Sequence, residues 1–348
     1  MRLVMRSTCT EAQMFISIIV AVKNEEKYVR ECIDSLLNQS YPADKYEIIV
    51  VDGLSTDGTW EILQELKKRN PELRLFKNLK ENAAAGRNIG VRNAKGEYVA
   101  FIDGDAVADT NWLENISKTF GNVDAVGVGG PDLLPPDSAY ISRVIGMIMA
   151  SPLASGGKLN PSVQHIMSSQ AGYVKHIPTC NLCLRKDVIE RIGYFDEDFV
   201  KGQDLELNTR LVMAGYKLYH SPMIRVTHYR KQHIRDFTMQ IYKWAKAKAA
   251  IIKKHGMTNP SYLSPVFGFV FLMILFFAAL YLGGSPLFFI VLLLCVAVYV
   301  LLIVFESIRI AHKNGDARLF LYGLLLFPLI HISYTAGIFY GLLRRKIW

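Results

Sequence analysis

Tyr98-Val99-Ala100-Phe101-Ile102-Asp103-Gly104-Asp105 is an apolar run that stops at two carboxylates separated by glycine. The run reads as a buried strand, and the acid-glycine-acid triplet as a tight turn at its end. Hard oxygen donors at the carboxyl end of a buried strand stand where a divalent cation can bridge protein to a diphosphate. Asp-Gly-Asp also makes ordinary turns that bind nothing, so its neighbours decide the reading.

Working outward, residues 15–22 form a β-rich apolar run that opens into Lys23-Asn24-Glu25-Glu26. Residues 28–38 show helical spacing through Val29, Cys32, Ile33, Leu36 and Leu37. A second strand over 47–51 ends at Asp52-Gly53, and a helix over 56–69 follows the capping-like Ser55-Thr56-Asp57. A strand at 73–77, a helix at 83–94 and the strand at 98–102 complete an alternation that predicts βαβ units, a mainly parallel sheet and ligands at the strands' carboxyl ends. Asp52 and Asp103 both lie at such ends. A helix over 112–120 and a strand over 125–128 continue the pattern. From Gly130 to Gly172 prolines break it, which predicts a mobile excursion over the site, or for the apolar piece 141–149 a short helix lying against a membrane. Helices are expected again at 188–192 and 203–214.

The last quarter differs in kind. Residues 263–282 and 286–305 carry no charge and are each 20 residues long, against the ~20 needed to cross a bilayer as helix. Gly283-Gly284-Ser285 between them predicts a tight hairpin. A third apolar run, 319–343, is long enough to cross but contains Pro328 and His331, which leaves spanning, kinking and re-entry open. The net charge of +9 is concentrated beside these segments: residues 217–260 hold ten Lys or Arg against the single acid Asp236. Such a block marks the cytoplasmic side and attracts anionic lipid, which places the soluble part in the cytosol of an integral membrane protein. No cleavable signal is read at the N-terminus. Of five cysteines only Cys180 and Cys183 are close, and a single CxxC is read as structural. The expected organisation is an arm at 1–14, a catalytic domain at 15–230, a basic amphipathic helix at 231–260 and two or three membrane helices at 261–348.

Four elements stand in order: Ala21-Val22-Lys23-Asn24-Glu25, the run from Val51 to Thr59, Asp103-Gly104-Asp105, and Gly202-Gln203-Asp204-Leu205-Glu206-Leu207 followed by Arg210. Together they resemble the family 2 inverting glycosyltransferases, over residues 15–244. The resemblance implies a GT-A fold, Rossmann-like and α/β, here followed by transmembrane helices. It implies a nucleotide-sugar donor, UDP-linked ahead of GDP-linked, and Mg²⁺ or Mn²⁺ as cofactor. Val22, Glu25 and Asp52 would hold base and ribose, and Arg87 would face the nucleotide. Asp105 would be the main metal ligand, Asp103 would contact the ion, its waters or the ribose of the nucleotide, and His228 would be a further metal or phosphate contact. Asp204 would be the general base, although Gln203 replaces the acid that usually precedes it in this family. Asn181 and Gln203 would approach the acceptor. Gln240-Ile241-Tyr242-Lys243-Trp244 is similar to the Gln-x-x-Arg-Trp motif of processive synthases, with lysine in place of arginine, so Gln240 and Trp244 are candidate acceptor contacts. A basic helix lying on the membrane explains the same residues.

The expected activity is transfer to a lipid-linked or growing glycan acceptor at the cytosolic face. Within that class stand a polyprenyl-phosphate monoglycosyltransferase and a small polysaccharide synthase. A catalytically silent nucleotide-sugar-binding membrane protein is the rival of another class. A nucleic-acid binder would explain the charge but not the carboxylates.

Overall fold

The computed structural model describes residues 14–155, 170–229, 233–281 and 286–344. The first half alternates as its hydrophobic pattern requires: β1 (Ile16–Val22), α1 (Val29–Leu37), β2 (Tyr46–Asp52), α2 (Thr59–Arg69), β3 (Arg74–Lys77), α3 (Ala83–Asn93) and β4 (Tyr98–Asp103). The four strands are parallel in the order β3-β2-β1-β4. β1 is buried on both faces. Ile16, Ile18 and Val20 pack with Val29, Ile33 and Leu36 of α1, while Ile19 packs with Ala84 and Val91 of α3. Burial of each such side chain contributes about 1.5–3 kcal/mol. Register pairs Val22 with Asp52 and Ala21 with Asp103, so all three strands end at one edge.

The chain continues through β5 (Ala106–Ala108), α4 (Trp112–Asn122), β6 (Gly127–Gly129), β7 (Asp132–Leu133), α5 (Tyr140–Met149), α6 (Pro152–Ser155), β8 (Gly172–Val174), β9 (Leu182–Arg185), α7 (Lys186–Ile192), α8 (Gln203–Met213), β10 (Leu218–His220) and β11 (Val226–His228). The main sheet thereby reaches eight strands, in the order β3-β2-β1-β4-β9-β6-β10-β8. β9 runs antiparallel between β4 and β6. A three-stranded sheet, β5-β11-β7, lies at the edge where β4 ends.

Two expectations are corrected. The helix expected from Thr56 begins at Thr59, because Ser55, Thr56 and Asp57 instead bind the loop after β1. The irregular stretch after Gly130 also contains β7 and α6, while 141–149 is the short helix given as its alternative, α5; residues 156–169 lie outside the described residues. Helix α5 buries Val144, Ile145, Ile148 and Met149 with Phe237, Ile241, Leu326 and Ile330. Its apolar face therefore docks on the helices that follow. The arm expected at the N-terminus and the Gly283-Gly284-Ser285 hairpin also fall outside the described residues.

Those helices are α9 (Ile234–His255), α10 (Ser264–Tyr281), α11 (Pro286–Asn314) and α12 (Arg318–Leu343). Three segments, Pro260–Ala278, Pro286–Asn314 and Arg318–Leu343, are long and apolar enough to cross a membrane. The third is one continuous helix with Pro328 inside it, not a re-entrant pair. Helix α9 lies along α12 through small residues. A Cβ on Gly337 would come within 2.7 Å of Ala245 Cβ, and one on Gly341 within 2.5 Å of Ala249 Cβ. Four-residue spacing on both helices lets the backbones approach closely, the way apolar helices associate without a hydrophobic driving force.

Candidate active site

The loop after β1 and the loop after β2 are stitched together. Asn24, at φ 57°, accepts from Thr56 N at 2.8 Å, and its own N–H donates to Ser55 Oγ at 2.9 Å. Glu25 N–H donates to Thr59 Oγ1 at 2.8 Å, and Gly58 N–H to Glu26 Oε2 at 2.8 Å. Asp52 is buried at the end of β2 and accepts from Ser55 Oγ at 2.5 Å. A Cβ on Gly104 would lie 2.7 Å from Val22 Cγ1 and 3.3 Å from Glu25 Cγ, so glycine is required for the turn after β4 to close on these residues. Val22, Glu25, Asp52 and the Asp103-Gly104-Asp105 turn thus share one strand-end edge.

Arg87 on α3 is buried, stacks on Phe195 and donates from Nη2 to Asp103 Oδ1 at 2.8 Å. One Nη2 donor of its guanidinium holds Asp103, at the edge where it was expected to face the nucleotide. Asp105 is held from the other side, since Tyr229 N–H donates to its carbonyl at 3.0 Å. That bond brings the end of β11 against the turn. His228 Nε2 lies 3.2 Å from Asp105 Oδ1, and its Nδ1 lies 3.5 Å from Asp132 Oδ2. Burial alone would depress the His228 imidazole, but the carboxylates of Asp105 and Asp132 and the Cys180 thiol raise it well above its ordinary value. Tyr229 is stacked on Tyr28 at 4.4 Å and donates to Glu31 at 2.9 Å, which fastens β11 to α1.

Ligand atoms of Asp103, Asp105 and His228 all lie within 4.8 Å of one another. Two carboxylates and an imidazole on one face form a donor set that fits a divalent cation of the Mn²⁺ type. The nitrogen donor suits Mn²⁺ better than Mg²⁺. Asp132, which the sequence reading did not single out, sits behind His228, where a carboxylate can orient an imidazole whose other nitrogen holds a metal. Its only sequence signal is its place three residues after a short strand. Cys180 and Cys183 are free and buried, and burial pushes the Cys180 thiol up to about 12. Cys180 lies against His228 and, with Asp132, forms a second group whose ligand atoms lie within 4.8 Å of one another.

Asp204 is the second residue of α8, which starts at Gly202 with φ 74°. Its Oδ1 accepts from Leu205 N–H at 2.8 Å, and its Oδ2 lies 3.8 Å from His176 Nε2. His176 was missed in the sequence. Its Nδ1 accepts from Asn208 Nδ2 at 2.8 Å, an assignment that leaves the proton on Nε2, facing Asp204. Burial, with Lys248 nearby, pushes His176 down to about 3, so the ring is neutral. His176 and Cys180 end one short segment, four residues apart, which limits their Cα separation to roughly 14 Å. One end faces Asp204 and the other His228, so a single short buried segment connects the two groups.

The acceptor contact expected of Asn181 is corrected. Its side chain is fully buried, accepts from Trp112 Nε1 at 2.8 Å and donates to Pro131 O at 3.0 Å and Ile224 O at 2.8 Å. Every donor and one acceptor position is used, so it is a strut beneath the site. Gln203 is also buried, its Nε2 donating to Val200 O at 3.1 Å. Gln240 and Trp244 lie on α9. Trp244 is 37 % exposed, and neither residue hydrogen-bonds to the carboxylates among the described residues.

Comparison with known proteins places this geometry. Residues 17–193 match the model of glycosyl transferase family 2. A Methanococcus voltae protein, dolichyl N-acetyl-α-D-glucosaminyl phosphate 3-β-D-2,3-diacetamido-2,3-dideoxy-β-D-glucuronosyltransferase, is 30 % identical over 337 residues, covering 95 % of this chain and 98 % of its own. Among solved structures, a mannosyltransferase from Pyrobaculum calidifontis in complex with GDP-Man and Mn²⁺ superposes with a TM-score of 0.59 at 20 % identity, covering 97 % of this chain and 89 % of its own. GalNAc-T7, crystallised with UDP, GalNAc and Mn²⁺, superposes with a TM-score of 0.54 at 14 % identity, covering 74 % of this chain and 51 % of its own. The fold is GT-A, the C-terminal helices are of membrane type, and the chain is a glycosyltransferase that belongs to glycosyl transferase family 2.

Proposed function

We propose that this glycosyltransferase moves a sugar, in a single inverting displacement, from a nucleotide-sugar donor to a polyprenyl-phosphate-linked sugar at the cytosolic membrane face. The observation that carries the reading is the meeting of Asp103, Asp105 and His228 at the end of β4, with Asp204 joined to that cluster through the short segment from His176 to Cys180. The acceptor class is supported by the name of the Methanococcus relative, and the donor class by the nucleotides in the two GT-A structures. UDP is taken ahead of GDP. In this reading residues 15–230 are catalytic, 231–260 lie at the membrane surface and 261–348 anchor the chain. Cytosolic sidedness is supported by the basic block beside the first span.

Asp103, Asp105 and His228 would hold Mn²⁺ or Mg²⁺, which when bound neutralises charge on the departing diphosphate. Val22 and Glu25 line the base side, and the buried Asp52 closes the ribose side of the same edge. Asp204 takes the proton of the acceptor hydroxyl as that oxygen attacks the anomeric carbon and the bond to the diphosphate breaks. The Leu205 N–H holds one Asp204 oxygen, and the neutral His176 ring lies 3.8 Å from the other. One base on the face opposite the leaving group suffices for inversion.

Asp204→Asn tests the assignment. The variant should bind the nucleotide-sugar as the parent does and lose transfer by 10²-fold or more, roughly the share of a general base. Transfer at parental rate in Asp204→Asn would remove Asp204 from the mechanism. Donor binding without turnover in the parent protein would favour the silent binding protein instead.

A further inference from the structure

Lys248 on α9 is 7 % exposed and makes no hydrogen bond or ion pair among the described residues. A buried ammonium ordinarily takes a carboxylate. The buried carboxylate of α8, which packs on α9 through Leu205, Ala250 and Ile251, is Glu206, and it is taken by Arg210 and His255. Lys248 is held instead between two tyrosine rings, Tyr262 at 5.1 Å and Tyr334 at 4.9 Å. Tyr262 precedes the first membrane helix and Tyr334 belongs to the third. Cation–π contacts tolerate a charge without neutralising it, so the ammonium keeps its need for an anion. Burial lowers it to about 8, which leaves it mostly charged at neutral pH.

Its surroundings indicate which anion. On the catalytic side stands His176, whose ring faces Asp204. On the membrane side, α10 and α12 form an apolar groove of about 620 Å³ lined by Phe269, Val270, Met273, Phe277 and Phe339. Val270 and Phe339 pack in one cluster with Tyr334 and with Ala245 and Ala249, which flank Lys248 on α9. Lys248 is thus linked to the groove through Tyr334, which packs with Val270 and Phe339, and its charge acts on His176 beside the proposed base. A molecule with a long apolar chain, a phosphate and then a sugar matches that order of environments.

We propose that Lys248 binds the phosphate of an isoprenoid-phosphate acceptor whose chain lies in the groove between α10 and α12, presenting the attached sugar to Asp204. This rests on the transferase reading above and adds the residue that selects the acceptor. The lysine is a positioning residue and takes no part in proton transfer.

The test uses the full chain in phosphatidylcholine nanodiscs with three probes: a short polyprenyl monophosphate, the matching polyprenol and inorganic phosphate. The parent should bind the polyprenyl phosphate at least about tenfold more tightly than the alcohol, the size of one charge-assisted contact. Lys248→Met should bind both alike, and Lys248→Arg should keep most of the preference. Both variants should bind donor nucleotide as the parent does, which controls for folding. A parental preference surviving in Lys248→Met, or no preference in the parent, overturns the proposal. Inorganic phosphate competing as tightly as the lipid overturns the choice of a lipid ligand. Donor hydrolysis in the same discs separates the two levels. Hydrolysis without phosphate preference sinks only the role of Lys248, whereas phosphate preference without turnover of any donor supports Lys248 and sinks the transferase mechanism.

Discussion

Arg87 Nη2 donates to Asp103 Oδ1 at 2.8 Å, from a side chain only 8 % exposed to one that is 30 % exposed. The buried partner is the anchor and the exposed partner the working group. The arginine fixes one carboxylate of the turn, leaving the other oxygen of Asp103 for a ligand. Arg87→Ala should lower kcat/KM for the donor by roughly 10²-fold, the cost of displacing a catalytic group by about 1 Å. Arg87→Lys should not restore it, because a point charge lacks the planar fork. Steady-state kinetics with the donor as varied substrate checks both.

His228 bridges Asp105 and Asp132, and the two contacts have different consequences. Loss of His228 as alanine should weaken Mn²⁺ more than Mg²⁺ and flatten the preference between them. Asp132→Asn keeps the ligand set and disturbs only its orientation, so Mn²⁺ should weaken by about tenfold. Titration of Mn²⁺ by paramagnetic resonance, with nucleoside diphosphate present, measures both. Unchanged affinity in Asp132→Asn would mean that the imidazole needs no second carboxylate.

The close contact of α9 and α12 predicts a stability effect remote from the chemistry. Gly341→Leu forces a side chain into Ala249 and should destabilise the protein by about 1–3 kcal/mol. Gly268 on α10 has nothing within 4 Å of its would-be Cβ, so Gly268→Leu should be neutral. Thermal unfolding in detergent distinguishes them.

Glu47 joins three strands and a loop. It accepts from Ser17 Oγ at 2.7 Å, from Lys95 N–H at 2.6 Å and from Arg74 Nη1 at 2.7 Å. Burial acts to raise its carboxyl, but these donors outweigh it and leave it below the ordinary value. A depressed carboxyl stabilises the fold above its unfolded value and loses that contribution as pH falls through the folded one. Glu47→Gln should therefore cost about 1–2 kcal/mol at pH 7, with the gap to the parent closing in acid. Unfolding midpoints followed from pH 7 down to about pH 3 measure it.

The parallel half of the fold was legible because β1, β2 and β4 are long apolar runs whose ends carry acids, and local pattern suffices for such strands. β9 was not, because its four residues take their identity from β4 and β6, far away in sequence. The same limit applies to side chains. Asp103, Asp105 and His228 could be named from their motifs and the family resemblance, whereas Asn181 was expected to approach the acceptor and is fully buried against Trp112. His176 and Lys248 carry no local signature, since a neutral histidine and an unpaired lysine are made by burial and not by neighbours in the chain.

The most direct test of the account is transfer of labelled sugar from UDP- and GDP-sugars to a polyprenyl-phosphate-linked acceptor by the full chain in nanodiscs. It is run with EDTA and after restoration with Mn²⁺ or Mg²⁺, and again with Asp105→Ala. The account predicts that EDTA abolishes transfer, that Mn²⁺ restores it more fully than Mg²⁺, that Asp105→Ala stays silent, and that the product has inverted anomeric configuration. Transfer that persists in EDTA and in Asp105→Ala, or that retains configuration, would contradict it.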